Sequence, residues 1–138
     1  MGALHKSSND MPQNIGNSRC SWKDHIKFID KNLTKKEKAA KNELKKLKDW
    51  IESIDIRDNN FGLIHFDFEL DNLIWDGEKY NIIDFDESVN HWYVADIAFA
   101  LRDLFEDGVD LENKYFKNFI AGYKNEFELD NEILKDLR

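Results

Sequence analysis

The chain has 138 residues, 41% of them hydrophobic, so it can bury the core of one domain or of part of a larger one. No apolar run approaches the roughly 20 residues of a membrane-spanning helix, and we therefore expect no association with a membrane. The single cysteine, Cys20, excludes an intramolecular disulfide. Because the N-terminus also has no apolar signal-peptide core, we predict a cytoplasmic protein.

Charge is distributed unevenly along the chain, whose net charge is −8. Residues 23–50 carry ten lysines against five acidic residues, whereas residues 51–138 carry eight basic residues against twenty-two acidic ones. The acidic part would repel phosphate groups, so we expect no nucleic-acid partner. It suits a cationic ligand or a metal ion, and equally a solvated surface.

The N-terminal part is predicted to be an arm followed by a short helix. Residues 1–20 are polar and contain the one proline of the chain, which indicates a loop or arm. Ser21 and Asp24 have the spacing of a capping box, the arrangement in which two side chains bond the free amides at a helix start. They predict a helix over residues 22–32.

A second capping box, Thr34 with Glu37, predicts a longer helix over residues 35–54. Its apolar residues recur every three or four positions and form one stripe: Ala40, Leu44, Leu47, Trp50, Ile51 and Ile54. The lysines fall mostly on the opposite face. A solvated helix surface explains them better than a phosphate-binding patch does.

The pattern changes to strands after a turn at residues 58–60. Residues 63–65 are predicted to form a short buried strand. Residues 72–75 and 80–83 are predicted to form a hairpin whose turn is residues 76–79.

The last part of the chain is predicted to be helical again. Apolar residues at helical spacing predict helices over residues 92–105 and 111–125, separated at Gly108. A short helix is expected to begin at about Asn131. Long helices around a small central hairpin make this an α+β unit.

The predicted hairpin brings polar side chains together. With a turn at 76–79, Asn72 faces Ile83, and Asp84 lies one step beyond, next to the loop that carries Asp67. Opposed side chains on paired strands are about 5 Å apart, close enough to share a metal ion. Carboxylate and amide oxygens are the hard ligands that Mg²⁺ prefers. We therefore expect a magnesium site at the open end of the hairpin.

The sequence from His65 to Asn72, with the hairpin and Ile83-Asp84-Phe85-Asp86 after it, resembles the catalytic and metal-binding loops of the protein-kinase-like fold. Together with Asp96-Ile97-Ala98, these motifs resemble the aminoglycoside phosphotransferase and choline kinase branch of that fold. The resemblance runs from about residues 1–5 to the C-terminus. It covers the C-terminal lobe of the family, which implies an expected division into a polar arm, 1–20, and a catalytic lobe, 21–138.

The resemblance implies a role for each matching residue in an ATP-dependent phosphotransfer to a hydroxyl group of a small molecule. Asp67 would be the catalytic aspartate, which accepts a proton from the acceptor hydroxyl or orients it. Asn72 and Asp84 would be ligands of a Mg²⁺ ion that bridges the phosphates of ATP. His65 and Asp96 would support the catalytic loop, since a buried structural histidine and a helix-start brace are the simpler interpretations of these residues.

Residues near the second motif give weaker predictions. Asp86 stands where protein kinases have glycine, and either a metal contact or a loop hydrogen bond is open to it. Asp86, Trp92 and Tyr93 are candidates for a lip around the acceptor, where an aromatic ring could hold a cation. Helix entry and core packing remain the alternative for the two aromatic residues. Phe66 departs from the family, which usually has glycine between the histidine and aspartate of the catalytic loop.

The family also has an N-terminal lobe that this chain is expected to lack. The sequence contains no Gly-rich strand pair before the motif and no strand bearing the lysine that contacts the α and β phosphates. We also expect the C-terminus to be incomplete. The isolated chain is therefore expected to be inactive alone and to expose the surface that meets the missing lobe. A partner chain that supplies that lobe, or self-association, is the expected consequence.

Two other functions remain open at this point. A non-catalytic remnant, used as an interaction module, could retain the magnesium-binding loop. A metal-dependent glycosyltransferase could use Asp84-Phe85-Asp86 as an Asp-x-Asp motif, although this interpretation explains neither Asp67 nor Asn72.

Overall fold

The computed structural model describes residues 1–12, 18–105 and 108–137. These residues contain five α-helices, which we number α1 Gly2–Asn9, α2 Trp22–Asn32, α3 Lys38–Ile51, α4 Tyr93–Ala100 and α5 Lys114–Lys124. Four short strands form two antiparallel pairs, with bounds β1 Phe61–Ile64, β2 Leu73–Trp75, β3 Tyr80–Ile82 and β4 Val89–Trp92. The predicted α+β class is confirmed. None of the helices that the structure describes combines the length and apolar character that a bilayer crossing requires.

The N-terminal segment contains a helix where the sequence predicted an arm. Residues 2–9 form α1, so the prediction of a loop over residues 1–20 is wrong there. Gly2 and His5 are the buried residues of this helix, while Lys6 and Ser7 are exposed. A helix that buries so few side chains has no apolar stripe, and this is why its polar composition resembled an arm.

Helix α1 docks closely on α5. A Cβ atom placed on Gly2 would lie 2.4 Å from the carbonyl oxygen of Tyr123, so no larger residue fits without moving one of the two backbones. Glycine is therefore required here for close approach of the two helices.

The two capping boxes have different outcomes. The Ser21 amide and hydroxyl both bond the Asp24 carboxylate at 2.9 Å, and the helix predicted over 22–32 is confirmed as α2. The Thr34 amide donates to Glu37, but residues 34–37 form a turn and α3 begins only at Lys38. The predicted start at residue 35 is wrong, because the Glu37 side chain reaches back to close a turn before the helix rather than its first turn.

The predicted hairpin is confirmed in position and register. In the β2–β3 pair, Leu73 faces Ile82, Ile74 faces Asn81 and Trp75 faces Tyr80. The amide of Ile83 donates to the Asn72 carbonyl at 3.1 Å, so the pairing extends one step beyond the strands.

The strand predicted over 63–65 is found as β1, which spans Phe61–Ile64, but its pairing with β4 was not predicted. Strand β1 pairs with β4 from Phe61↔Trp92 to Ile64↔Val89. Because residues 89–92 are extended, α4 begins only at Tyr93. It ends at Ala100 and is followed by a 3₁₀ turn over Arg102–Phe105. The single helix predicted over 92–105 is therefore wrong at both ends. The helix predicted over 111–125 is found as α5, but its predicted start is three residues too early. The short helix expected from about Asn131 is a 3₁₀ helix, Glu132–Leu137.

The main core lies between the helices and the end of the β1–β4 pair at which Phe61 faces Trp92. Trp92 is its centre, with ring centroids 5.5 Å from Trp22 and 5.1 Å from Phe61. Its other buried members come from α3, α4, α5 and the C-terminal turn: Ile51, Ile97, Phe116, Ile120, Tyr123, Leu129, Ile133 and Leu134. Met1 and the C-terminal residues Ile133 and Leu134 thus pack in the same core as β4 and as β1, the strand that leads into the loop at His65.

We predict that Gly2→Ala lowers the free energy of unfolding by about 1–3 kcal/mol, because the new methyl group overpacks the α1–α5 contact. Alanine would otherwise stabilise a helix relative to glycine by about 1 kcal/mol. Urea unfolding of the two proteins measures the difference. Lys6→Ala, on the exposed side of α1, is the control and should change stability by less than about 0.5 kcal/mol. A stabilising effect of Gly2→Ala would mean that α1 does not dock on α5.

Candidate active site

The loop after β1 carries the predicted catalytic aspartate. Asp67 is half-buried, and the Asn72 side-chain amide donates to its carbonyl at 2.8 Å and to its carboxylate at 3.1 Å. A 3₁₀ turn, Leu70–Asn72, brings Asn72 back to Asp67 just before β2 begins. The two predicted residues are therefore in direct contact, and Asn72 fixes the orientation of the Asp67 carboxylate.

The predicted metal ligands lie at the open end of the hairpin. Asp84 is the second residue after β3 and is exposed. The residue between them, Ile83, donates its amide to the Asn72 carbonyl. The backbone of Asp84 is left-handed, with φ 62°, a conformation that aspartate tolerates better than most residues. The left-handed backbone of Asp84 therefore ends the extended pairing of the hairpin at this candidate metal ligand.

The donor set fits a hard divalent cation. Both hydrogen bonds of the Asn72 amide use its nitrogen, so its oxygen remains available as a ligand, and Asp84 is exposed. Within the described residues, no group of three or more histidine, cysteine, aspartate or glutamate side chains is arranged to hold a metal. An amide oxygen and one carboxylate leave most positions of a six-coordinate ion to water or phosphate, which is how Mg²⁺ usually binds.

His65 connects the two loops. It is fully buried, and its Nε2 donates to the carbonyl oxygen of Ile83 at 2.8 Å. Its ring also contacts Phe68 and Phe85, at centroid distances of 5.7 and 4.7 Å. His65 therefore holds the Asp67 loop against the residue that precedes Asp84, and it does not face the candidate site.

Asp96 holds the same loop from the other side. This fully buried carboxylate, in the first turn of α4, accepts the backbone amides of His65 at 2.9 Å and of Phe66 at 2.7 Å. It also accepts a hydrogen bond from Nε2 of His5, at 2.9 Å. The predicted bracing position of Asp96 thus has a physical basis in three hydrogen bonds.

His5 was missed by the sequence reasoning. It is fully buried, and its Nδ1 is 2.7 Å from the hydroxyl of Tyr123. Burial lowers the pKa of His5, although its bond to Asp96 acts in the opposite direction. Burial also raises the pKa of Tyr123, so that hydroxyl keeps its proton. The one signal for His5 was that the family resemblance begins at residues 1–5.

Phe66 adopts a backbone conformation that glycine would adopt without strain. Its φ is 70°, in the left-handed region. Its ring packs between three elements, with centroids 5.2 Å from His25, 5.8 Å from His91 and 5.3 Å from Phe99. The left-handed backbone explains why glycine is the usual residue here in the family that the motif resembles. In this chain, ring packing offsets the backbone strain.

The predicted acceptor lip is only partly compatible with the structure. Trp92 and Tyr93 are 2% and 0% exposed, so both belong to the core and neither can line a lip. The core-packing alternative is the correct one for them, because strand β4 turns Trp92 inward and α4 begins at Tyr93. Asp86 is exposed, and its carbonyl accepts a hydrogen bond from Arg19 at 3.0 Å. Its predicted role at the acceptor site remains a prediction.

His91, the residue before Trp92, is half-buried beside Phe66. Its Nδ1 accepts the backbone amide of Trp92 at 2.9 Å. Burial lowers the pKa of His91 to about 4. The ring is therefore neutral at pH 7 and packs next to the catalytic loop as an uncharged group.

Comparisons with known proteins agree with this arrangement. The model of a family described as phosphotransferase enzyme family matches residues 19–130. Amicoumacin kinase from Bacillus subtilis (strain 168) is 32% identical over 79 residues, a match that covers 52% of this chain and 24% of that protein. The solved structure of amicoumacin kinase hAmiN in complex with AMP-PNP, Ca²⁺ and Ami superposes with a TM-score of 0.77 at 20% identity. That superposition covers 99% of this chain and 43% of the other.

The family match spans most of the chain and includes both candidate loops, so the chain belongs to the phosphotransferase enzyme family. The structural match shows that it has the kinase-like fold of amicoumacin kinase. The chain spans less than half the length of each of these two relatives.

We predict that Phe66→Gly is more stable than Phe66→Ala by about 0.5–1 kcal/mol, because both variants lose the ring but only alanine keeps the cost of a positive φ. Urea unfolding of the two variants gives the difference. At an exposed position inside a helix the order reverses, so Ala3→Gly serves as the control and should destabilise by about 0.5–1 kcal/mol. Equal stability of the two Phe66 variants would show that the loop is not held in the left-handed conformation.

Proposed function

We propose that this chain is the catalytic and metal-binding part of an ATP-dependent phosphotransferase that transfers the γ-phosphate to a hydroxyl group of a small molecule. The observation that carries the proposal is the contact between Asn72 and Asp67, made while the Asn72 carbonyl pairs with the residue before Asp84. Hydrogen bonds therefore connect the candidate base to one candidate metal ligand, Asn72, and to the residue that precedes the other, Asp84. We place this activity in the cytoplasm, where ATP is available.

In the proposed reaction, the chain contributes positioning and charge. Asp67, oriented by the Asn72 amide, would accept the hydrogen bond of the acceptor hydroxyl. It would receive the hydroxyl proton as the new O–P bond forms and the bond from the γ-phosphorus to the leaving ADP breaks. Asn72 and Asp84 would hold Mg²⁺, which when bound neutralises phosphate charge. Phosphoryl transfer requires little covalent chemistry from the protein, so placing these groups is the main contribution.

The acceptor is proposed to be a small hydroxyl-bearing compound, with a cationic one favoured by the acidic C-terminal part of the chain. Amicoumacin kinase hAmiN, the structural relative, forms a complex with AMP-PNP, Ca²⁺ and Ami, which supports a site for a nucleotide, a divalent cation and a small molecule in this fold. Asp86, exposed two residues after Asp84, is the described residue that we propose to face a cationic acceptor.

We further propose that the chain is inactive alone. In the kinase-like fold that it resembles, ATP lies between two lobes, and the residues described here supply one side of that cleft. Nucleotide would therefore bind weakly and phosphate transfer would be slow until a second lobe completes the site. The alternative proposal is a non-catalytic remnant or interaction module that retains the same loops.

We predict that the chain binds Mg²⁺ with AMP-PNP weakly, and that Asp84→Asn weakens this binding about tenfold or more, because a metal-bound carboxylate becomes a neutral amide. Titration calorimetry with and without Mg²⁺ measures both constants. Glu87→Gln is the matched control, since Glu87 is also exposed and lies three residues further along the chain. An equal effect of the two variants, or binding independent of Mg²⁺, would contradict the metal assignment and favour the alternative proposal.

The hairpin presents an exposed aromatic surface beside its turn. We use the name hairpin surface for Trp75 and Tyr80, which face each other across the two strands and are both exposed. Trp75 and Tyr80 pack against each other with centroids 4.9 Å apart, so they form one continuous patch. Such patches mark interaction sites more often than ordinary surface, and we propose that a second lobe or another copy of the chain covers this one.

We predict that Trp75→Ser reduces self-association, or association with a lobe that completes the cleft, because it removes a large ring from the hairpin surface. Sedimentation velocity over a concentration series measures the effect. Tyr115→Ser is the control, since Tyr115 is equally exposed but lies on α5, away from the hairpin. Association that is unchanged by Trp75→Ser would show that the hairpin surface is not the contact.

A further inference from the structure

Asp96 receives a hydrogen bond from a residue that no part of the proposed reaction uses. His5, on α1, donates to its Oδ2 at 2.9 Å, and both side chains are fully buried. We propose that His5 is a positioning residue for the catalytic loop, acting through Asp96 on the backbone of Phe66 and thereby on Asp67. This inference rests on the proposed function, because it assigns His5 to the same site.

The hydrogen-bond partners define the protonation of His5. A carboxylate can only accept, so the Nε2 of His5 carries the proton that bonds Asp96. The other nitrogen, Nδ1, lies 2.7 Å from the hydroxyl of Tyr123, which keeps its proton and donates it. Burial favours the neutral ring, in agreement with this assignment. Tyr123 thus donates to His5 and His5 donates to Asp96, which also accepts the two loop amides.

The ring of His5 is held in place by its neighbours. It stacks on Tyr93 with centroids 4.5 Å apart and a 20° interplanar angle, and it meets the edge of Tyr123 at 5.5 Å. Gly62 allows this packing, since a Cβ there would lie 2.3 Å from the Tyr93 hydroxyl. His5 therefore has no freedom to leave Asp96 while α1 is docked, and being fully buried it cannot reach a substrate.

The bond from His5 to Asp96 acts on the part of the catalytic loop whose backbone is strained. Asp96 accepts the amides of His65 and Phe66, and Phe66 has a φ of 70°. A conformation of this kind persists when surrounding contacts over-determine it. Without His5, the carboxylate would have one donor fewer in a dry environment and would be free to turn away from one of the amides. Phe66 directly precedes Asp67, so any relaxation of its backbone would redirect the catalytic carboxylate.

The test compares His5→Leu, which removes the donor, with His5→Gln, whose amide nitrogen can replace Nε2 as a donor to Asp96. Hydrogen exchange at the Phe66 amide, followed by NMR, reports on the loop. Ile120→Ala, a core substitution in α5, provides a variant of comparable global destabilisation. Binding of Mg²⁺ with AMP-PNP by each protein reports on the site.

We expect Phe66 amide exchange to be about tenfold or more faster in His5→Leu than in Ile120→Ala, the equivalent of about 1.4 kcal/mol of lost local protection. His5→Gln should restore slow exchange and nucleotide binding. If His5→Leu matches Ile120→Ala, or if His5→Gln behaves like His5→Leu, the proposal is overturned.

Two further results keep the proposal separate from the proposed function and from a failure to fold. Measurable Mg²⁺-dependent AMP-PNP binding in the wild type with no loop effect overturns the role of His5 alone. A loop effect without any measurable AMP-PNP binding in the wild type overturns the proposed function. If His5→Leu does not fold, the position of the proton on the wild-type His5 ring, observed by NMR, tests the proposal instead. We expect a slowly exchanging proton on Nε2, and a ring protonated on Nδ1 alone would overturn the proposal.

Discussion

The buried carboxylate of Asp96 is the interaction on which the rest of the site depends. It accepts three hydrogen bonds in the described structure, from the two loop amides and from His5, and none of its surface reaches solvent. A buried charge without donors would cost several kcal/mol, so each of these contacts constrains the element that supplies it. Through them α1, α4 and the loop after β1 form one unit.

The site itself combines one local and one long-range arrangement. The β2–β3 hairpin places Asn72 beside the residue before Asp84 over a short stretch of chain. Pairing of β1 with β4 is long-range, and it sets the loop at Asp67 above α4, where Asp96 can reach its backbone. His65 joins the two arrangements through its bond to the Ile83 carbonyl. The candidate metal and catalytic residues thus follow strands of different sheets, and they are connected by His65 and by the bonds from Asn72 to Asp67.

Local patterns were predictable from the sequence and long-range contacts were not. Turn residues and alternation defined the hairpin to the exact pair of facing residues, because a hairpin is specified within about a dozen neighbouring positions. Helix α1 could not be predicted, since its stability comes from contacts with residues far along the chain, such as the bond from His5 to Asp96. The sequence left both a lip and the core open for Trp92, because the strand that buries it depends on pairing with β1. Its aromatic character alone suits either position.

The central claim is that Asp67, Asn72 and Asp84 form one divalent-cation and nucleotide site. Mn²⁺, a paramagnetic substitute for Mg²⁺, broadens NMR signals of nuclei close to it, so titrating it with AMP-PNP into the labelled chain locates the ion directly. The account predicts selective broadening of Asn72 and Asp84, then of Asp67, with the exposed α3 residue Glu43 unaffected. Broadening spread evenly over the acidic surface, or absent from these three residues, would contradict it.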